Sequence, residues 1–156
     1  MKNILFPKHP DNNYKGHKLA MWVLCLYVFR SFLAGFIHMF ASDGGAQSIA
    51  SINLDMFSDG ASDTIITMFA MWGMEQFVIA LIILVILINY KSLIPAAWLI
   101  YAIEFTGRWL IPMFKPGVQS THTPPGHVID YIFVPLSILM FIFALYTSQK
   151  RSKLTE

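Results

Sequence analysis

Apolar residues along this chain are gathered into four long runs that are separated by polar connections. Each run holds about 20 residues or more, the length that an α-helix needs to cross the hydrocarbon core of a bilayer. The predicted spans cover residues 19–40, 64–89, 93–114 and 127–146. The pattern therefore predicts an all-α fold, an integral membrane bundle of four helices.

The polar connections indicate how these spans are arranged. Residues 90–92 form a turn so tight that the second and third spans must be antiparallel neighbours. A Ser-, Gly- and Asp-rich segment, 41–62, joins the first two spans, and a Pro- and Gly-rich segment, 115–126, joins the last two. We expect an antiparallel bundle flanked by polar tails at residues 1–18 and 148–156.

Orientation follows from the Lys and Arg residues outside the spans. They are concentrated in the two tails and the short turn, whereas the 41–62 connection has none and carries three aspartates. By the positive-inside rule both termini are cytoplasmic and this connection faces outward, as in a bacterial inner-membrane protein. The first span is longer than the apolar core of a cleaved signal peptide and contains Arg30, so we expect it to be retained.

The composition excludes several classes of protein. Of 156 residues, 56% are hydrophobic and only 13% are charged, which is far from the composition of a soluble domain. Four spans leave no room for a soluble catalytic domain, and the net charge of +2 flanks the spans without any nucleic-acid-binding pattern. Cys25 is the single cysteine, which excludes an internal disulfide and a two-thiol redox cycle.

Ionisable residues lie deep inside three of the predicted spans. At about 1.5 Å of rise per residue, Arg30, Glu75 and Glu104 are near the middle of the membrane. Arg108 lies one helical turn from Glu104. An arginine or acid at the centre of a span costs about 2.5 to 3.5 kcal/mol. We therefore predict that these side chains face one another inside the bundle.

A second layer of polar residues lies nearer the outer face. Together the two layers predict one pocket that opens outward and narrows inward. Its expected residues are Arg30, His38, Trp72, Glu75, Tyr101, Glu104, Arg108, His127 and Asp130. In the first span, Ser31 and Gly35 have the small-xxx-small spacing that lets a neighbouring helix approach closely.

Charge counting identifies a candidate titrating group. The set contains two arginines and three carboxylates, those of Glu75, Glu104 and Asp130, so one carboxylate is left without an arginine. Glu75 is the expected odd one, because no basic residue lies within one turn of it on its own span. Glu75 and Glu104 are therefore the candidate catalytic residues, although a structural lock that fixes helix register is an equally simple explanation of the charges.

The sequence contains few motifs for metal binding, catalysis or cofactor binding. His127 and Asp130 form an H-x-x-D pair at the start of the fourth span, but no second ligand motif accompanies it, and we predict no metal site. No Ser-His-Asp constellation, phosphate loop or CxxC motif is present, and the sequence does not identify a cofactor. The aromatic residues form either a bundle core or the lining of a pocket for a flat lipophile such as a quinone.

Several stretches resemble a known group of proteins. These are Arg30 followed by small residues, WGMEQ in the second span, and EFTGR followed by a Pro-rich loop and PGHVIDYIFVPL. The layout of residues 20–147 resembles the small four-helix bacterial membrane proteins that include the DoxX-like families. The resemblance implies a link to quinone-dependent oxidoreductases, of which some members are small subunits, and it assigns no catalytic residue.

Three functions are compatible with these features. The first is a small accessory or lipophile-binding membrane subunit, whose partners would be membrane lipid, a lipophile such as a quinone, and another membrane subunit or further copies of itself. The second is a membrane enzyme that acts on a lipophilic substrate with Glu75 or Glu104 as acid/base. The third is an oligomeric proton-coupled transporter.

Overall fold

The computed structural model describes residues 2–115 and 121–152, and over this part of the chain the fold is all-helical, without strands. A short helix, α1 (Lys2–Leu5), precedes four long ones. The long helices are α2 (Lys18–Phe40), α3 (Asp59–Asn89), α4 (Ile94–Phe114) and α5 (Pro125–Ser152). The predicted all-α class is confirmed for these residues. The predicted C-terminal tail begins within α5, and its last residues, 153–156, lie outside the described chain.

Three of the long helices are long and apolar enough to cross a membrane: α2, α3 and the Pro125–Leu145 part of α5. Helix α4 is not among them, since Glu104 and Arg108 lower its mean hydropathy. Instead, α4 is sheltered by its neighbours. Its buried residues are Ile94, Pro95, Ala96, Ala97, Trp98, Tyr101, Ala102 and Phe105.

The outer surfaces of the apolar helices carry large hydrophobic side chains. On α2 they recur every three or four residues, which is the period of one helix face. These exposed residues are Trp22, Leu26, Phe29, Leu33, Phe36 and Phe40. A continuous apolar stripe of this kind is unfavourable in water and favours contact with lipid or with another protein.

Helices α2 and α3 pack closely because two glycines face each other. A Cβ atom on Gly73 would lie 2.6 Å from the Cβ of His38 and 2.8 Å from the Gly35 carbonyl oxygen. A Cβ on Gly35 would lie 2.7 Å from the Gly73 carbonyl oxygen. The close approach predicted at Gly35 is confirmed, and α3 is the helix that makes it.

An aromatic core joins the α2–α3 pair to the α4–α5 pair. The ring of Tyr27 contacts the rings of Trp98, Tyr101, Phe105 and Phe133, with centroids 4.7 to 5.5 Å apart. Trp98 and Phe105 are fully buried, and Tyr101 is nearly so. This half of the bundle is therefore filled by side chains.

The segment that precedes α2 packs against the turn between α3 and α4. The backbone N–H of Asp11 donates to Ser92 Oγ at 2.9 Å, and the N–H of Ser92 donates back to the Asp11 carbonyl at 3.1 Å. Tyr14 packs against the core, and burial raises the pKa of its hydroxyl to about 12. The segment predicted to be a polar tail thus covers the end of the bundle that carries the turn.

Replacing Gly73 with alanine should push α2 and α3 apart, because the new Cβ has no space. We expect a loss of about 1 to 3 kcal/mol in the free energy of unfolding, the usual cost of overpacking. Gly107→Ala is the matched control, since no heavy atom lies within 4 Å of a Cβ at that position. Alanine is the better helix former, so this control should be neutral or stabilising. Thermal unfolding in detergent would contradict the close packing if Gly73→Ala were as stable as Gly107→Ala.

Candidate functional site

A cavity of about 480 Å³ lies at the end of the bundle opposite the 90–93 turn. Its wall is built from the C-terminal half of α2, the N-terminal part of α3, the end of α4 and the start of α5. Ile49 and Ala50, in the connection between α2 and α3, also contribute. Most of the lining is apolar. The ionisable residues among the lining are Arg30, His38, Arg108, His127 and Asp130.

Arg108 joins three helices at the cavity. Its Nη1 donates to Glu104 Oε1 at 3.3 Å, and its Nη2 lies 3.6 Å from Asp130 Oδ1 on α5. The guanidinium also lies over the ring of Trp72 on α3, 4.9 Å from the centroid. The side chains of Arg108 and Glu104 are each only 14% exposed, so the predicted pairing of these two residues is confirmed as a buried salt bridge.

Arg30 reaches into the same region from α2 but finds different partners. Its Nη1 donates to the amide oxygen of Gln76 at 3.2 Å. The guanidinium lies 5.7 Å from the centroid of Phe133 and 5.9 Å from that of Phe105. Among the described residues, no carboxylate lies within 4 Å of Arg30. Its charge is therefore balanced only at longer range.

His38 is fixed at the cavity wall by its own hydrogen bond. Nδ1 lies 2.7 Å from the carbonyl oxygen of Gly44. A carbonyl only accepts hydrogen bonds, so Nδ1 carries the hydrogen, and in the neutral ring Nε2 is an acceptor. The ring packs on Trp72 with centroids 4.8 Å apart.

Asp43 holds the connection that covers part of the cavity. Its carboxylate accepts hydrogen bonds from the backbone N–H groups of Gly45 at 2.9 Å and Ser48 at 2.6 Å. Partial burial raises the pKa of this carboxyl, but the hydrogen bonds from Ser48 and Gly45 outweigh that effect and bring the pKa below its usual range. The turn that results presents Ile49 and Ala50 to the cavity.

The connection before α5 is tied to the same turn at Ser51. The backbone N–H of Thr121 donates to the Ser51 carbonyl at 3.0 Å, and Ser51 Oγ lies 2.7 Å from His122 Nε2. Ser51 has a φ of 59°, a left-handed conformation that is uncommon for a residue with a Cβ. The two connections at this end are therefore held together above the cavity.

Six of the nine predicted site residues line the cavity, and two more lie inside the bundle without lining it. Those in its wall are Arg30, His38, Trp72, Arg108, His127 and Asp130. His127 is largely exposed to solvent, in contrast to the buried Asp130. Glu104 lies behind Arg108, and Tyr101 lies deeper, where its hydroxyl donates to Ser31 Oγ at 3.2 Å.

Glu75 is placed differently from the prediction. Its side chain is exposed, and no salt bridge among the described residues includes it. The buried face of α3 consists of Gly73, Gln76, Ala80, Ile83, Ile86 and Leu87. Successive residues of a helix are about 100° apart, so the inward position belongs to Gln76 and Glu75 points away. The assignment of Glu75 to the interior set, and with it a catalytic role in the cavity, is corrected.

Gln76, Phe105 and Phe133 were missed as partners of Arg30. The sequence did contain one signal for Gln76. Gly73 and Ala80 are small residues one heptad apart on α3, and Gln76 falls on the same face between them. Small residues mark the face on which an apolar helix packs closely against a neighbour, so this face indicates Gln76 rather than Glu75.

Within residues 2–115 and 121–152, no group of three or more His, Cys, Asp or Glu side chains is arranged to hold a metal ion.

Comparison with protein-family models, with curated proteins and with solved structures finds no significant match to this chain. The class of protein is therefore described from its fold and its site alone. Over its described residues it is an all-helical protein with three helices apolar enough to cross a membrane and with a buried ion pair beside a cavity at one end.

Arg108→Ala should destabilise the protein strongly, because it leaves two buried carboxylates without their counter-charge. Breaking a buried ion pair from one side typically costs about 3 to 5 kcal/mol. Adding Glu104→Gln should recover part of this loss, and adding Asp130→Asn should recover more. Chemical unfolding in detergent measures all three, with the exposed Lys115→Ala as a control that should be neutral. A double variant no more stable than Arg108→Ala would contradict direct pairing with Glu104.

Proposed function

We propose that this chain is an integral membrane protein that binds a lipophilic molecule in the cavity between its helices. Its four long helices would form an antiparallel bundle in a bacterial inner membrane, with both termini cytoplasmic. Three apolar helices and their exposed hydrophobic surfaces support membrane insertion. The distribution of Lys and Arg outside the helices supports the orientation.

The cavity is the observation on which lipophile binding rests. Its volume of about 480 Å³ lies within the usual range of sites for small molecules. Such sites combine an apolar wall with a few placed polar groups. Here, apolar side chains such as Leu33 and Ile37 make up most of the wall, with Arg30 and Asp130 among the few charged groups. The resemblance to small subunits of quinone-linked oxidoreductases adds quinones to the candidate ligands.

The filled half of the bundle favours binding over transport. A transported ion or substrate needs a path to both membrane faces. Below the cavity, Tyr27 and its aromatic neighbours occupy the space between the helices, and the N-terminal segment covers the far end. The enzyme alternative also has less support, because Glu75 points away from the cavity and Glu104 stands behind Arg108.

A second role, association with another membrane subunit, is favoured by Glu75. An exposed acid halfway along an apolar helix is costly in lipid, by about 2.5 to 3.5 kcal/mol on insertion scales. A hydrogen-bond donor on a neighbouring chain would offset that cost. Arg30 and Arg108 are engaged inside the bundle, and the other Lys and Arg residues lie in the tails, the connections or at helix ends. A different subunit therefore fits Glu75 better than a second copy of this chain does.

Native mass spectrometry of the protein, gently extracted from its own membrane, tests the proposal. We expect a retained lipophile at a stoichiometry of one per chain. Ala34→Leu, which adds bulk to the cavity wall, should reduce its retention. Val78→Leu, on the exposed face of α3, is the matched control and should retain it. A folded wild-type protein without any lipophile would contradict the proposal, and a stoichiometric partner chain beside an empty cavity would favour the accessory role alone.

A further inference from the structure

The polar groups of the cavity wall indicate which polar group the bound lipophile carries at one end, called its head below. Arg30 is a donor there, since only one of its nitrogens has a hydrogen-bond partner among the described residues, Gln76. A ligand oxygen that accepts a hydrogen bond would complete this side of the site. Arginine cannot give up its proton in a protein, so this group remains a donor.

The ligand must also donate a hydrogen bond, because two acceptors lie in the same cavity wall. Asp130 is 6% exposed, and its Oδ1 has no hydrogen-bond partner even though Arg108 lies 3.6 Å away. His38 Nε2 is an acceptor as well, because Nδ1 carries the hydrogen that bonds to Gly44. A buried acceptor without a partner, as Asp130 Oδ1 is, is unfavourable. A hydroxyl group on the ligand would satisfy either acceptor.

Charge balance decides between a neutral and an anionic head. Arg30 and Arg108 are matched in number by Glu104 and Asp130, so the four side chains sum to zero charge when all of them are ionised. An anionic head would leave an uncompensated negative charge in a region of low dielectric constant, which is costly. A neutral head supplies a hydrogen-bond donor and an acceptor without changing the net charge of the site.

We propose, on the basis of the lipophile binding proposed above, that the ligand is a neutral lipophile whose head carries a hydroxyl group next to a hydrogen-bond-accepting oxygen. The hydroxyl donates to Asp130 or His38, the oxygen accepts from Arg30, and the hydrocarbon chain lies along the apolar wall. Monoacylglycerols and alkylated dimethoxyhydroquinones, in which a methoxy oxygen lies next to each hydroxyl, share this chemistry, and ionised fatty acids do not.

A set of probes with one common chain tests the head directly. The purified full-length chain is titrated at pH 8 in lauryldimethylamine oxide, whose head has no hydroxyl, and bound probe is read by native mass spectrometry. The probes are 1-oleoylglycerol, methyl oleate and oleate. We expect 1-oleoylglycerol to bind about tenfold or more tightly than either of the others, the effect of one hydrogen bond to a charged group. Equal or tighter binding of methyl oleate or oleate would overturn the proposal.

A decyl dimethoxyhydroquinone and the corresponding quinone, compared without oxygen, form the second arm. We expect the hydroquinone to bind more tightly than the quinone, because only the reduced head donates, and the reverse order would overturn the proposal. The hydroxyl-bearing probe with the larger affinity gain over its own chain-matched control identifies the source. If none of the five probes binds, lipophile binding itself is contradicted, which separates failure of the proposed function from failure of the head-group assignment.

One variant isolates the charge balance. Glu104→Gln leaves the set with a net positive charge without changing a group that lines the cavity, so the ratio of oleate to 1-oleoylglycerol affinity should rise roughly tenfold, as for one charge-assisted interaction. Glu75→Gln also removes a carboxylate, but from an exposed position outside the cavity, and should leave the ratio unchanged. An unchanged ratio in folded Glu104→Gln would overturn the charge argument. If that variant does not fold, the wild-type probes alone decide.

Discussion

An arginine inside an apolar bundle is tolerated only where the chain supplies its partners. The fold supplies them for two arginines, Arg108 and Arg30. Arg108 pairs with Glu104 on its own helix, approaches Asp130 on α5 and lies over Trp72 on α3. Arg30, from α2, reaches Gln76 on α3. Each charge thereby draws neighbouring helices together, and α4, which is not among the helices apolar enough to cross a membrane, has its charges inside that enclosure.

Local features of the fold could be predicted from the sequence, and features that depend on a neighbour could not. The apolar runs give the helices, and a spacing of four residues on one helix is enough to pair Glu104 with Arg108. The choice between Glu75 and Gln76 depends instead on which face of α3 meets α2. The contact of Gly35 with Gly73 decides that, and it involves two distant parts of the chain. The packing of residues 11–14 on the turn was missed for the same reason.

The two halves of the bundle differ because their side chains differ in size and polarity. Around Tyr27 large aromatic rings from α2, α4 and α5 fill the space between the helices. At the other end small and medium residues such as Ala34 and Ala50 alternate with charged ones. The result is a cavity at one end of the bundle and a filled interior at the other. This asymmetry underlies the assignment of a binding role.

With the helices across a membrane as proposed, accessibility of the cavity from each face tests this asymmetry most directly. In a Cys25→Ala background, Ile37→Cys places a thiol on the cavity wall, and Ser137→Cys places one in the fully buried interior. A membrane-impermeant maleimide, applied to either side of oriented vesicles, should label Ile37→Cys only from the face of the 41–58 connection and should not label Ser137→Cys. Labelling of Ile37→Cys from both faces, or from neither in a folded protein, would contradict a cavity that opens at one end.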